Sequence, residues 1–274
     1  MASAERLFQI LDTAERSETP AEPRRLERPR GEIRFEDVDF EYREGEPVIH
    51  GLNLGIEPGE RVGVVGWTGS GKSTLIRLLT RLYDVQKGRV RVDGVDVREM
   101  NPFRLRRSIG VVLQDPFLFA GTIANNISLG DPDITRERLE WAARVVDADR
   151  FIDRLPHGFD TEVQEGGRNF SVGEKQLLCF ARALAFDPAV VVLDEATASV
   201  DPATEQRIQQ ALETLLDGRT SIVVAHRLVT VKDADRIVVL HKGTLREQGP
   251  HEELIQKREG VYRTLWELQS ARAG

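Results

Sequence analysis

Residues 61–74 read "RVGVVGWTGSGKST". The first half is an apolar run ending in glycine, the pattern of a strand buried on both faces of a parallel sheet. The second half, Gly66 to Thr74, fits the spacing G-x-x-x-x-G-K-[ST]. Gly66, Gly69 and Gly71 let the backbone curl around Trp67, Thr68 and Ser70, so that successive N–H groups can meet phosphate oxygens. A helix opening at Lys72 adds a dipole that favours an anion. Lys72 reaches the β- and γ-phosphates of a nucleotide, and the hydroxyl of Ser73, beside Thr74, is a ligand for Mg²⁺. With glycine at about 7% of residues, a random match to this spacing in a chain of this length is expected on the order of one time in a hundred, and the strand before and helix after lower that further. The stretch predicts a nucleotide-binding loop.

Outward from it, the helix is expected to run from Lys72 to Leu82, with Leu75, Leu78, Leu79 and Leu82 on one face. Upstream, Ile33, Phe35, Val38 and Phe40 alternate and predict an antiparallel pair completed by residues 48–56. Downstream, further buried strands are expected at 109–114, 189–194, 221–226 and 236–240. Residues 115–187 are mainly helical in pattern and form a lobe inserted between two of those strands, and the tail from Pro250 reads as one or two amphipathic helices. Strands alternating with helices mean an α/β domain with a largely parallel core sheet.

The first dozen residues, "MASAERLFQILD", place Ala4, Leu7, Phe8, Ile10 and Leu11 on one side of a short helix, and residues 13–31, rich in Pro, Glu and Arg, read as a linker. The folded domain is expected to begin at Glu32, and the helix and linker before it to be the end of a preceding region. The chain has 274 residues, 40% of them hydrophobic and 30% charged, with a formal net charge of -7, the composition of an ordinary globular domain. That charge argues against non-specific binding to nucleic acid. A single cysteine, Cys179, excludes an internal disulfide, and its setting "QLLCFARAL" makes it a small core residue. No apolar run reaches the roughly 18 residues needed to span a bilayer.

With the strand that ends in the phosphate loop, four strand ends supply polar groups. The run "VVVLDE" ends in Asp194, placed to hold Mg²⁺, and Glu195, placed to orient and deprotonate an attacking water. Two acids after a strand are more often a solvated turn, but beside a phosphate loop in a parallel sheet the balance reverses. His226 closes "SIVVAH" as a contact to the γ-phosphate, and Gln114 closes "IGVVLQ" as a group converging on Mg²⁺ and water. Both assignments rest on the rule that open α/β sheets bind ligands at the carboxyl ends of their strands.

Together these residues resemble the nucleotide-binding domain of ABC transporters over residues 32–270. The loop at 66–74, "LQDPFLF" at 113–119, "VVVLDEATASVD" at 190–201 and "VVAHRL" at 223–228 occur in the family's order. The resemblance implies the ABC ATPase fold, a P-loop NTPase core with a mainly parallel sheet, an antiparallel β subdomain and a helical subdomain at about 115–187. It implies Mg²⁺-dependent ATP hydrolysis that powers export, with Lys72, Glu195, His226 and Gln114 as the catalytic set and Ser73, Gln114 and Asp194 around the metal. Tyr42, in "FEYRE", matches the aromatic that stacks on adenine. The stretches 118–130 and 161–171 are similar to exporters, and the N-terminal "ASAERLFQILD" resembles the stretch after the last membrane helix in fused exporters. Residues 1–31 are then the end of a transmembrane region with its connector, and the domain sits at the cytoplasmic side of a membrane. A soluble family member and a non-hydrolysing regulatory subunit are the alternatives; the first would carry tandem domains or basic insertions, the second would lack Glu195 or His226.

Such domains work as head-to-tail pairs, each ATP held between the loop of one and the signature of the other. The family signature is Leu-Ser-Gly-Gly-Gln; here it is Phe170-Ser171-Val172-Gly173-Glu174. Ser171 and Gly173 keep the pattern, so they and Glu174 are expected at the partner's nucleotide. Ser171 and Glu174 also form S-x-x-E, a capping box worth about 1 kcal/mol to the helix start. A carboxylate at position 174, about 6 Å from a phosphate at an effective dielectric of about 20, would cost roughly 3 kcal/mol per like-charge pair before screening. The departures imply a partner domain that is not a copy of this chain.

Overall fold

The computed structural model describes residues 19–27, 29–113, 115–194, 202–225 and 228–273. Strands β1 (Ile33–Glu41) and β2 (Pro47–Ile56) pair antiparallel, Ile33 opposite Ile56 and Phe35 opposite Leu54. Strand β3 (Arg61–Gly66) then leads into helix α1 (Lys72–Leu79), followed by β4 (Lys87–Val92) and β5 (Val95–Asp96). The pair read from the sequence is thus half of a four-stranded sheet of order β2-β1-β4-β5.

Helix α2 (Pro102–Arg107) precedes β6 (Ile109–Val112). The inserted lobe comprises β7 (Gly121–Thr122), α3 (Ile123–Ser128), α4 (Arg136–Val145), α5 (Asp149–Ile152), β8 (Glu162–Val163) and α6 (Val172–Ala185). The chain returns to the core through β9 (Val190–Asp194), α7 (Pro202–Leu216), β10 (Thr220–Val224), β11 (Arg236–His241) and β12 (Thr244–Gly249). Helices α8 (His251–Leu254) and α9 (Val261–Ala273) form the tail. The core sheet has the order β12-β11-β3-β10-β9-β6, parallel except for the edge strand β12, which is antiparallel to β11.

The unbroken apolar strands serve two cores. Val190 and Val192 of β9 and Val62 and Val64 of β3 face the antiparallel sheet and α1. Val191 and Leu193, with Val65 and Val223, face a second core built from α6, α7, α9 and the inserted lobe. Alternate residues of each strand therefore bury on opposite faces, which is why no polar alternation shows.

The first helix corrects one expectation. It ends at Leu79, and Leu82 is exposed. Arg81 takes a positive φ of 50°, and the Leu82 N–H bonds back to the Arg77 carbonyl, which closes the helix one turn early. Strand β6 likewise stops at Val112 and β10 at Val224, short of the expected 114 and 226. From Thr19 the expected connector lies along the domain. Arg24 pairs with Met100, and the Asp93 carboxylate accepts N–H groups from Arg30, Gly31 and Glu32. The short helix expected in residues 1–12 falls outside the described residues.

Candidate active site

Strand β3 occupies an inner place in the core sheet and delivers Gly66 to its carboxyl edge. A Cβ at Gly66 would collide with the carbonyl of Leu240 on β11, so only glycine lets the loop leave the strand there. Gly71 caps α1 with φ 102°, a left-handed conformation, and supplies no side chain to the helix start. No acidic residue occupies the first turn. Among the described residues no side chain caps this helix start, and its dipole favours an anion. The Ser70 hydroxyl is buried in the loop with no hydrogen-bond partner among the described residues.

Lys72 is 5% exposed, and its Nζ donates to the carbonyls of Gly66 (2.8 Å) and Trp67 (3.2 Å). The ammonium thus lies across the loop, where a phosphate would meet it. Ser73 is exposed in the first turn of α1, whereas Thr74 is buried. Trp67, Thr68 and Gly69 form the exposed rim.

The backbone of the hairpin between β11 and β12 braces this loop. The Gly243 N–H donates to the Ser70 carbonyl at 3.2 Å, and the Gly243 carbonyl accepts from His50 of β2 at 3.0 Å. Gly243 lies outside the residues expected at the site, and the glycine in "HKGT" is its one signal in the sequence.

Tyr42, expected from the family resemblance to stack on adenine, stands beside the loop and is 39% exposed. Its hydroxyl shares a 3.1 Å hydrogen bond with Thr74 and accepts one from Arg77 at 2.9 Å. Tyr83 meets it edge-on, with ring centroids 5.1 Å apart. Arg77 and Tyr83, which the sequence reading did not single out, thus set the angle of the Tyr42 ring. Arg77 lies one helical turn past Thr74, the one hint the sequence offers.

Asp194 ends β9, half-buried. Strand β10 lies between β3 and β9, and Val224 pairs with Val64 on one side and with Asp194 on the other. The carboxylate-bearing strand end and the phosphate loop therefore share one edge of the sheet, separated by a single strand. The Ser73 hydroxyl and the Asp194 carboxylate are both oxygen donors, the ligand chemistry that would suit Mg²⁺. Gln114, Glu195 and His226 lie outside the described residues.

The start of α6 is built in the opposite way from that of α1. Ser171 is its N-cap, and Ser171 Oγ accepts the Glu174 N–H at 3.2 Å. Glu174 Oε2 accepts both the backbone N–H and the hydroxyl of Ser171, each at 2.8 Å. The capping box read from the sequence is present, and it engages the Glu174 carboxylate. Phe170 is buried, Val172 exposed, and Gly173 buried against α7, where a Cβ would collide with Thr204.

Beside this lobe lies a cavity of about 950 Å³, lined among others by Phe103, Leu113, Phe117, Leu129, Cys179 and Arg182. Phe103, Leu113, Phe117 and Leu129 are exposed there. The 161–167 loop abuts the segment before β7, with the Gly166 N–H donating to the Leu118 carbonyl at 3.1 Å. Burial pushes the Cys179 thiol above its ordinary value, with Arg182 and Lys175 opposing weakly, in keeping with a packing residue rather than a nucleophile. Among the described residues no helix is long and apolar enough to cross a membrane.

Residues 49–198 match the family described as ABC transporter. The chain is 48% identical over 267 residues to the probable multidrug resistance ABC transporter ATP-binding/permease protein YheH of Bacillus subtilis, covering 97% of this chain and 39% of that protein. It is 48% identical over 262 residues to the fatty acid ABC transporter ATP-binding/permease protein of Mycobacterium bovis, covering 96% of this chain and 41% of that one. Among solved structures it resembles a bacterial Atm1-family ABC exporter with ATP bound, at a TM-score of 0.87 and 39% identity, over 100% of this chain and 48% of that one. The chain thus spans less than half the length of these relatives.

Proposed function

The chain belongs to the ABC transporter family as an ATP-binding domain of the exporter type, and from that premise we propose that it hydrolyses MgATP to drive export by a membrane transporter of which it is one part. The observation that carries the reading is the uncapped start of α1 with Lys72 laid across it. Among the described residues no side chain caps that helix start, and a nucleotide's phosphates would be the anion it favours.

In this reading Gly66 to Thr74 bind the phosphates, Tyr42 stacks on the base, and Lys72 balances charge that grows on the γ-phosphate. Ser73 and Asp194, with Gln114, hold Mg²⁺, which when bound neutralises phosphate charge. Glu195 takes a proton from the attacking water, and His226 holds the γ-phosphate side of the site. Residues 32–270 form the nucleotide-binding domain and residues 1–31 its connector.

Two partners are implied. The first is a membrane domain, whose cytoplasmic end seats in the cavity beside Phe117. The apolar rim there and the permease portion in the names of the relatives support it. The domain would then lie at the cytoplasmic face of the membrane. The second is another nucleotide-binding domain of different sequence. Ser171 would serve that partner's nucleotide, yet its hydroxyl is already given to Glu174. A partner with an unmodified signature would complete this chain's site, while this chain's signature would complete a slower one.

The deciding experiment is turnover of MgATP by the wild-type chain and by Glu195→Gln. Glu195→Gln should bind ATP with unchanged affinity and lose hydrolysis; retained turnover would remove Glu195 from its role. A family-like rate from this chain alone, rising steeply with its concentration, would overturn the non-identical partner.

A further inference from the structure

Arg182 lies on α6, and Arg182 Nε donates to the Asn126 carbonyl at 2.7 Å. Nη1 and Nη2 both donate to the Phe117 carbonyl at 3.2 Å, and Nη2 also to Asn126 Oδ1 at 3.3 Å. No carboxylate of the described residues pairs with it, and burial pushes its pKa below the ordinary arginine value, with Cys179 opposing. A half-buried guanidinium whose hydrogen bonds go to carbonyls, with its Cζ 5.9 Å from the Phe119 ring centroid, gives up hydration for contacts to a single segment.

What it holds is a segment with no regular structure of its own. Residues 115–120 are neither helix nor strand, so their backbone groups need partners from elsewhere. Asn126, 2% exposed, extends the clamp: its Oδ1 accepts the Phe119 N–H at 2.8 Å, and its Nδ2 donates to the carbonyls of Phe119 (2.8 Å) and Thr122 (3.1 Å). On its other side the segment meets the 161–167 loop through Leu118 and the β7–β8 pair. Phe117 lines the cavity, and Gln114 precedes the segment in sequence.

We infer that Arg182, with Asn126, is a positioning residue that locks the segment after Gln114 to the helix presenting Ser171, so that a push on the Phe117 wall moves the start of α6 as one body. Arginine is required because its planar fork spans the Phe117 and Asn126 carbonyls together, which a lysine ammonium cannot do. The inference deepens the proposed function: it takes the cavity as the membrane-domain seat and the start of α6 as a contact to the partner's nucleotide.

The test compares the full chain with Arg182→Gln, Arg182→Lys, Asn126→Ala and the double variant Arg182→Gln/Asn126→Ala. MgATP turnover and nucleotide affinity are measured together with backbone hydrogen exchange. Arg182→Gln should lower kcat at least tenfold with nucleotide Kd within twofold, because the phosphate loop is on another lobe. The amides of Phe119 and Gly166 should exchange at least tenfold faster, with β3 and β9 unchanged. Arg182→Lys should recover less than half of the lost rate. The double variant should be no slower than its worse parent, since both residues act in one clamp. Additive losses, Kd worsening in step with kcat, or unchanged exchange at Phe119 would each overturn the inference. Should Arg182→Gln fail to fold, Asn126→Ala gives the same readouts. A wild-type chain without measurable turnover would count against the ATPase reading alone, and the exchange of Phe119 would still decide on Arg182.

Discussion

The Ser171 hydroxyl donates to the Glu174 carboxylate at 2.8 Å, while Glu174 returns its own N–H to Ser171. Two residues thereby cap a helix start that would otherwise attract an anion. Glutamine at 174 keeps the side chain's length and its capping geometry but removes the charge. Glu174→Gln should cost the fold less than about 1 kcal/mol, the worth of one helix-terminus charge. In a Glu195→Gln background, ATP-driven association with itself should tighten at least tenfold, read by sedimentation with MgATP. Unchanged association would show that the carboxylate does not oppose a partner's phosphate.

Gly173 is needed for packing, whatever approaches α6 from outside. Its absent side chain lets Thr204 of α7 lie against the helix backbone. Gly173→Ala should destabilise the chain by about 1–3 kcal/mol through overpacking. Thr204→Ser, which deletes the offending methyl, should recover most of that in the double variant. Urea unfolding of the three proteins checks it, and equal stability of Gly173→Ala and wild type would refute the packing role.

Lys72 Nζ donates to the carbonyls of Gly66 and Trp67, and under the proposed function it would pass from them to phosphate. Lys72→Met should keep the chain folded and weaken ATP binding at least tenfold, about 1.4 kcal/mol. Titration with a fluorescent ATP analogue measures this. Adenosine, which has no phosphate, should bind both proteins equally.

Tyr262 is fully buried, and its hydroxyl meets His251 Nδ1 at 2.8 Å. Burial, with the Glu252 charge adding, pushes its phenol up to about 12. The fold therefore favours the protonated phenol. The stability this gives is complete below the unfolded value of about 10 and is lost as pH rises toward 12. At pH 8 Tyr262→Phe should cost about 1 kcal/mol, one net hydrogen bond. The gap to wild type should close between pH 10 and 12, followed by denaturant unfolding across that range. A gap independent of pH would contradict the shift.

The phosphate loop, the α/β class and the antiparallel pair were legible in sequence, and the structure carries each of them. Their signals are local: a glycine spacing, an unbroken apolar run, an alternation over a few residues. Asp194 was readable for the same reason, as the polar end of a buried strand. Glu195, Gln114 and His226 were named on that logic and fall outside the described residues. The end of α1 was misread because four leucines at helical spacing outweighed the turn at Arg81, which is held by bonds to Asp84 and to the distant Met100 carbonyl. Strand β4, "KGRVRV", carries only Val90 and Val92 inward and was missed, because its pairing comes from β1, some fifty residues earlier in the chain.

The sequence by itself determined which residues are proposed to meet phosphate, because that motif is written in consecutive positions. Only the tertiary structure decided where Glu174 points, what Gly173 packs against, how Arg182 grips Phe117, and that a single strand separates Asp194 from the loop. Each of these depends on groups brought together from far along the chain. Burial and hydrogen bonding fix such partners only once the whole chain has closed around them.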